Sequence, residues 1–312
     1  MQGTDPTGND AAACIPNLLL LQLFVFGDSL VDAGNDDALP GALARADYHP
    51  YGLDFPPRGA ATGRFCNGKT VVDALSHRRL SSGDLLGLEY VPPYTTPGLN
   101  GTALLGGVNY ASAAGGILDE TGRHLGDRFS LSQQVLNLES NLDAIRSLFG
   151  DDDDRSGYER HLARSVAVMV LGGNDYINNY LLAPLYDSGD RYTPDEYAGL
   201  LLDHYARQIL ALFSVGLKKF LLAGVGPLGC VPNLRMMMAP QAEAGQYCVD
   251  QVINQMVGFF NRGLRSQLNA GHPDAAFVYA NTYAATQVMI TNPTKYGRYT
   301  SYELYEAGRA CT

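Results

Sequence analysis

Three short stretches carry residues that could do chemistry. In GDSLVDAGN (27–35), Ser29 directly follows an apolar run, Leu23–Phe26, and a glycine. A serine on a tight turn leaving a buried strand keeps its hydroxyl exposed and its own N–H beside it, which suits a nucleophile with an oxyanion donor at hand. Taken alone, Gly-Asp-Ser is more often ordinary turn chemistry. In NYASAAGGILD (109–119) the small residues let backbone N–H groups approach a substrate closely, although Gly-rich loops are common. In LGGNDY (171–176) the Asn174 side chain can offer a neutral N–H to a developing oxyanion, with a helix cap or a turn as the plainer role.

These stretches need elements to hold them. Each follows one of the short, nearly continuous apolar runs LQLFVFG (21–27), GGVNYAS (106–112) and SVAVMVLG (165–172), and two similar runs come later, KKFLLAGVG (218–226) and AAFVYAN (275–281). Runs of this kind suit strands buried on both faces of a parallel sheet. Between them lie helical patterns at Leu131–Phe149, Pro194–Val215 and Tyr247–Leu268. Thr193 and Pro194 read as cap and first turn. The last pattern spaces Val249, Val252, Ile253, Met256, Phe259 and Phe260 as one core-facing stripe. Alternating strands and helices predict a three-layer α/β/α sandwich with a mostly parallel sheet and right-handed crossovers. In such sheets reactive groups gather at the carboxyl ends of strands. The polar stretch 1–17 reads as disordered and 18–312 as a single domain, without linker or repeat.

Bulk properties narrow the function. The 312 residues are 46% hydrophobic and 17% charged, with a net charge of -10 at pH 7, so a nucleic-acid groove with clustered Lys and Arg is not expected. The five cysteines form no CxxC pair and no zinc-ligand spacing. Cys230 and Cys248 flank a loop, and either a disulfide or two free thiols fits the sequence. Residues 18–26 are too short for a transmembrane span, which takes roughly 20 apolar residues. They also lack the basic start and cleavage site of a signal peptide. The acidic run Asp151–Asp154 reads as a solvated loop rather than a metal site.

Order, strand context and wording of the three stretches together resemble the plant branch of the GDSL lipases, within the SGNH hydrolases. FVFGDSLVDAGN, YGLDFP with TGRFCNGKTVVD, GVGPLGCVP and NPTKYG extend the resemblance over roughly residues 23–297. It implies a flavodoxin-like fold and hydrolysis of carboxylic esters, acyl lipids or other small esters, with no cofactor and no metal. Ser29 matches the family's nucleophile. The Ser29 N–H, the N–H of a glycine in the second stretch and the Asn174 side chain match its oxyanion hole. Gly116 is the favoured glycine and Gly115 the alternative. Relatives of this kind are usually secreted. The oligomeric state is left open.

The family's remaining catalytic pair is an Asp and a His in a D-x-x-H motif, so spaced that one loop delivers the base and the group that orients it. No histidine here has an aspartate three places before it. His272, in HPD, belongs to the connection entering the last apolar run, the wrong edge of the sheet. The resemblance therefore describes a C-terminally truncated member with impaired turnover, Cys311 standing as half of a family cysteine loop. The competing reading is a non-catalytic relative that binds an acyl or glycan ligand in the retained cleft. A nucleotide-binding flavodoxin-like protein fits less well, because LVDAGN lacks the G-x-G-x-x-G phosphate turn.

Overall fold

A computed structural model describes residues 22–56, 59–76, 90–149, 155–237, 248, 251–270 and 274–296. The expectations for 1–17, Asp151–Asp154, His272 and Cys311 lie outside them. Four parallel strands, β1 (Leu23–Gly27), β2 (Val166–Val170), β3 (Lys219–Ala223) and β4 (Ala276–Ala280), pair in the order β1-β2-β3-β4. The register aligns Val25 with Val168, Val168 with Leu221 and Leu221 with Val278.

Strand alternation sorts the core into two sides of this sheet. Phe24, Phe26, Ala167, Met169, Phe220 and Leu222 face a large core completed by helices α2 (Leu131–Ser147), α3 (Arg155–Arg164), α6 (Pro194–Ser214) and α8 (Gln251–Ala270). Leu23, Val25 and Val168 face the other way, against Val31, Val91, Ala111 and Val72 of the short helix α1 (Val71–Ser76). The remaining helical pieces are α4 (Gly173–Asp175), α5 (Ser188–Arg191), α7 (Pro232–Met237), α9 (Thr282–Thr291) and α10 (Pro293–Tyr296).

Most predicted elements appear with ends trimmed by a residue or two. Helix α6 starts as the sequence suggests, with Pro194 in its first turn and the Thr193 N–H held by Glu196 at 2.9 Å. The stripe on α8 differs in detail: Ile253, Met256, Val257, Phe260 and Leu264 are buried, whereas Val252 and Phe259 are exposed. Phe259 instead lies under the Arg262 guanidinium, 5.0 Å from the ring centre.

The run 106–112 is not a regular strand. It lies beside β1 in parallel, with Val25 N–H donating to Val108 C=O (3.0 Å) and Tyr110 N–H to Val25 C=O (2.8 Å). Its outer edge meets a proline-containing segment, through Asn109 N–H to the Pro92 carbonyl (2.8 Å), and the Asn109 side chain takes the Ala111 N–H at 2.9 Å. Proline and this local side-chain bond break the ladder that regular pairing would need. Cys230 and Cys248 form a disulfide. Among the described residues no helix is long and apolar enough to cross a membrane.

Candidate active site

Ser29 sits in the turn just past β1, half-buried, with Leu30 beside it 68% exposed. The turn has a physical cause. Buried Asp28 continues the sheet through its N–H to the Val170 carbonyl (3.1 Å), then caps the turn by accepting the Leu30 N–H at Oδ1 (3.0 Å). The Val31 and Asp32 N–H groups bond back to the Asp28 carbonyl at 3.1 and 3.0 Å, forming one helical turn. No acceptor for the Ser29 N–H and no partner for its hydroxyl occur among the described residues. Both are open at the carboxyl end of the strand.

The same segment ties down the second stretch. Asp32 accepts the N–H groups of Gly34 (2.8 Å), Asn35 (2.7 Å) and Ala113 (3.2 Å). The Asn35 amide donates to the carbonyls of Asn109 and Ala111 at 2.8 and 2.7 Å, and Ser112 Oγ donates to Asp36. In the loop that follows, Gly115 spends its N–H on the Ser112 carbonyl (3.1 Å). The Gly116 N–H has no acceptor among the described residues, and its carbonyl takes the Leu131 N–H at 2.9 Å. A Cβ at Gly116 would strike Thr121 and come within 2.7 Å of Asp175 Oδ1, so only glycine fits.

Asn174 stands past the end of β2, the strand next to β1. Its Nδ2 donates to the Gly115 carbonyl at 2.9 Å, and its Oδ1 accepts from Asn178 Nδ2 at 2.9 Å. One hydrogen of the amide is thereby used and the second is uncommitted. The side chain is not spent capping a helix. Asp175, fully buried, braces this arrangement by accepting the N–H groups of Ile117 (2.9 Å) and Leu118 (3.0 Å) and the Thr121 hydroxyl (2.7 Å). The structure thus joins the second and third stretches directly, and joins the first to the second through Asp32, Asn35 and Asp36.

Sequence reading passed over Asp28, Asp32, Asn35, Asp36, Gln134 and Asp175 as site supports. Asp28, Asp32 and Asp175 lie inside the stretches already singled out and Asp36 directly follows the first, and their burial was the missing signal. Burial holds the carboxyls of Asp28, Asp32, Asp36 and Asp175 above the ordinary 3.8, at about 7, 6, 8 and 6. For Asp36 the neighbouring Asp32 adds like-charge repulsion.

None of the described histidines is bonded to Ser29. His124 Nδ1 pairs with the Tyr186 hydroxyl (3.0 Å), and His161 is buried against Phe149 with Nε2 unpartnered. His49 is exposed, His204 lies on α6 near Asp119, and His77 and His272 fall outside the described residues. Among those residues no group of three or more His, Cys, Asp or Glu could hold a metal ion.

A parallel α/β sheet with Ser29 in the turn past its first strand is the arrangement of the GDSL/SGNH fold. The chain belongs to the GDSL-like Lipase/Acylhydrolase family, which it matches over residues 23–303. It is similar to GDSL esterase/lipase At1g71250 of Arabidopsis thaliana, 48% identical over 278 residues that cover 88% of this chain and 70% of that protein. GDSL esterase/lipase At1g29670 of the same plant is 46% identical over 278 residues, 88% of this chain and 71% of the relative. GDSL esterase/lipase 7 is 44% identical over 284 residues, 90% and 73%.

Proposed function

We propose that this chain is a carboxylic ester hydrolase working through an acyl-Ser29 intermediate on acyl lipids or other small esters. Family membership and relatives named esterase/lipase support the hydrolase class. One observation carries the serine-centred reading: at the carboxyl ends of β1 and β2, the Ser29 N–H, the Gly116 N–H and the second Asn174 amide hydrogen are all uncommitted among the described residues. Donors of this kind are what stabilise a tetrahedral oxyanion. Gly116 takes precedence over Gly115 here, because the Gly115 N–H already serves the loop.

In this mechanism Ser29 Oγ adds to the ester carbonyl and the three donors receive the oxyanion. Collapse expels the alcohol, and water then releases the acid. The serine proton needs a base, and these 312 residues contain no D-x-x-H. A serine without its base stays protonated at neutral pH. The chain by itself is therefore a slow esterase, although oxyanion hole and binding alone leave roughly 1000- to 10,000-fold acceleration over water. The alternative reading is a non-catalytic relative that binds an acyl or glycan ligand in the retained cleft. We also infer secretion from the resemblance to plant members.

Hydrolysis of a short-chain nitrophenyl ester separates the two readings. The hydrolase reading expects weak turnover that Ser29→Ala removes while thermal unfolding stays unchanged. Asn174→Ala should slow turnover about 100- to 1000-fold with little change in KM, because the charge arises only in the transition state. Turnover untouched by Ser29→Ala would end the serine reading.

A further inference from the structure

The first turn of α2 reaches the site from behind the sheet. Gln134, fully buried, accepts the Gly27 N–H at Oε1 (2.8 Å) and donates from Nε2 to the Gly27 carbonyl (2.8 Å) and the Phe129 carbonyl (3.0 Å). Gly27 ends β1, two residues before Ser29. The bonds Val25 to Val108 and Tyr110 to Val25 set a parallel ladder in which the Gly27 N–H would next go to the Tyr110 carbonyl. Gln134 takes that place instead. Its amide offers one acceptor and one donor side by side, as a neighbouring strand does. Three residues earlier on the same turn, the Leu131 N–H holds the Gly116 carbonyl at 2.9 Å. One turn of helix therefore grips both the peptide leading to Ser29 and Gly116, the residue that carries the second proposed oxyanion donor.

We propose that Gln134 is a positioning residue, which fixes where Ser29 stands relative to Gly116 and so sets the rate of acyl transfer. The proposal rests on the Ser29 reading above. A displacement of about 1 Å at a reacting group costs on the order of 100-fold in rate. Apolar replacement of Gln134 leaves the Gly27 N–H without its acceptor and its carbonyl with the Ser112 N–H (3.1 Å) alone, and should cause such a displacement without touching the substrate.

The substitution that discriminates is Gln134→Glu. Protonated, the introduced carboxyl presents the same acceptor and donor to Gly27. Ionised, it presents two acceptors and repels the Gly27 carbonyl. Burial raises the pKa of a carboxyl, so the switch is accessible by moderate acidification.

The experiment measures the acylation rate at saturating nitrophenyl acetate for the 312-residue chain, Gln134→Leu and Gln134→Glu. Measurements run from about pH 8 to about pH 5, spanning the range of a raised carboxyl pKa. Ser29→Ala provides the blank, and circular dichroism normalises each rate to folded protein. We expect Gln134→Leu to be roughly 100-fold slow at every pH with KM nearly unchanged. Gln134→Glu should be slow at neutral pH and recover toward the parent as the pH falls. A Gln134→Glu to parent ratio that is flat with pH overturns the proposal, as does a folded Gln134→Leu that acylates at the parent rate. If Gln134→Leu does not fold, the pH profile of Gln134→Glu decides alone. Rates that persist in Ser29→Ala defeat the serine reading itself, a result distinct from indifference to position 134.

Discussion

Single residues in this protein are held by several partners at once, and Arg64 is a clear case. Its guanidinium meets the Asp73 carboxylate through Nε at 2.8 Å and Nη2 at 3.0 Å, both side chains being buried, while Phe55 covers its face with the ring centre at 4.5 Å. Thr70 adds its N–H and hydroxyl to the same carboxylate at 2.8 and 3.0 Å. Breaking a buried ion pair from one side leaves an uncompensated charge, so Arg64→Leu should cost about 3–5 kcal/mol of stability by denaturant unfolding. Pairing it with Asp73→Leu should recover a good part of that loss. A double variant no better than the single would mean that the packing of Arg64, rather than its charge, matters. Both residues stand in the stretch that carried the family resemblance, yet their pairing was not legible there. The stretches holding Ser29 and Asn174 stand out locally through their glycines and strand ends, whereas the choice of Gly116 over Gly115 came from the family resemblance. Gln134 was not legible, since a polar residue in a helical pattern reads as solvent-facing until the fold turns it inward.

At the scale of elements, the sheet and the long helices could be read from apolar runs and spacing, and the failures lie where another force wins. The segment 106–112 has the composition of a strand, but proline across its outer edge and the Asn109 side chain interrupt its ladder. Val252 and Phe259 match the helical period of α8 and are nevertheless exposed, because spacing defines a stripe without fixing its width. How closely the edge segment approaches β1 depends on Gly107. This glycine has φ +104°, and any Cβ there would run into the Leu23 carbonyl. Gly107→Ala therefore suffers both backbone strain and a clash, the strain alone being of order 1–3 kcal/mol. We expect a lowered melting temperature together with loss of Ser29-dependent turnover, since the segment leads directly to Gly116. Melting and turnover that both match the parent would contradict this account of the edge.

For the whole molecule, the four buried carboxyls around the Ser29 turn impose a direction on pH stability. Their folded pKa values of about 6 to 8 exceed the ordinary 3.8, so between those limits the folded chain binds protons that the unfolded chain has released. Their contribution is complete below about 3.8 and is lost as the pH rises through the folded values. Buried His161 and partly buried His124, whose pKa values burial lowers, act in the opposite sense and lose their contributions as the pH falls. Four groups against two should make the melting temperature higher near pH 5 than near pH 8. Asp36→Asn should flatten that slope, because it removes the carboxyl that repels Asp32. A slope of the opposite sign would mean that these carboxyls are ionised in the folded protein. The negative net charge of -10 adds self-repulsion at higher pH and works in the same direction.

The proposed acyl-Ser29 intermediate is open to direct observation. With no D-x-x-H among these residues, the water that should release the acyl group lacks its general base as well, so deacylation is slowed along with acylation. The adduct should consequently build up on incubation with nitrophenyl acetate and persist through proteolysis and peptide mass spectrometry. The account predicts an acetyl group on the peptide containing Ser29, at Ser29 itself, and none on that peptide in Ser29→Ala. A Ser29 peptide that stays unmodified while the ester is hydrolysed would contradict it.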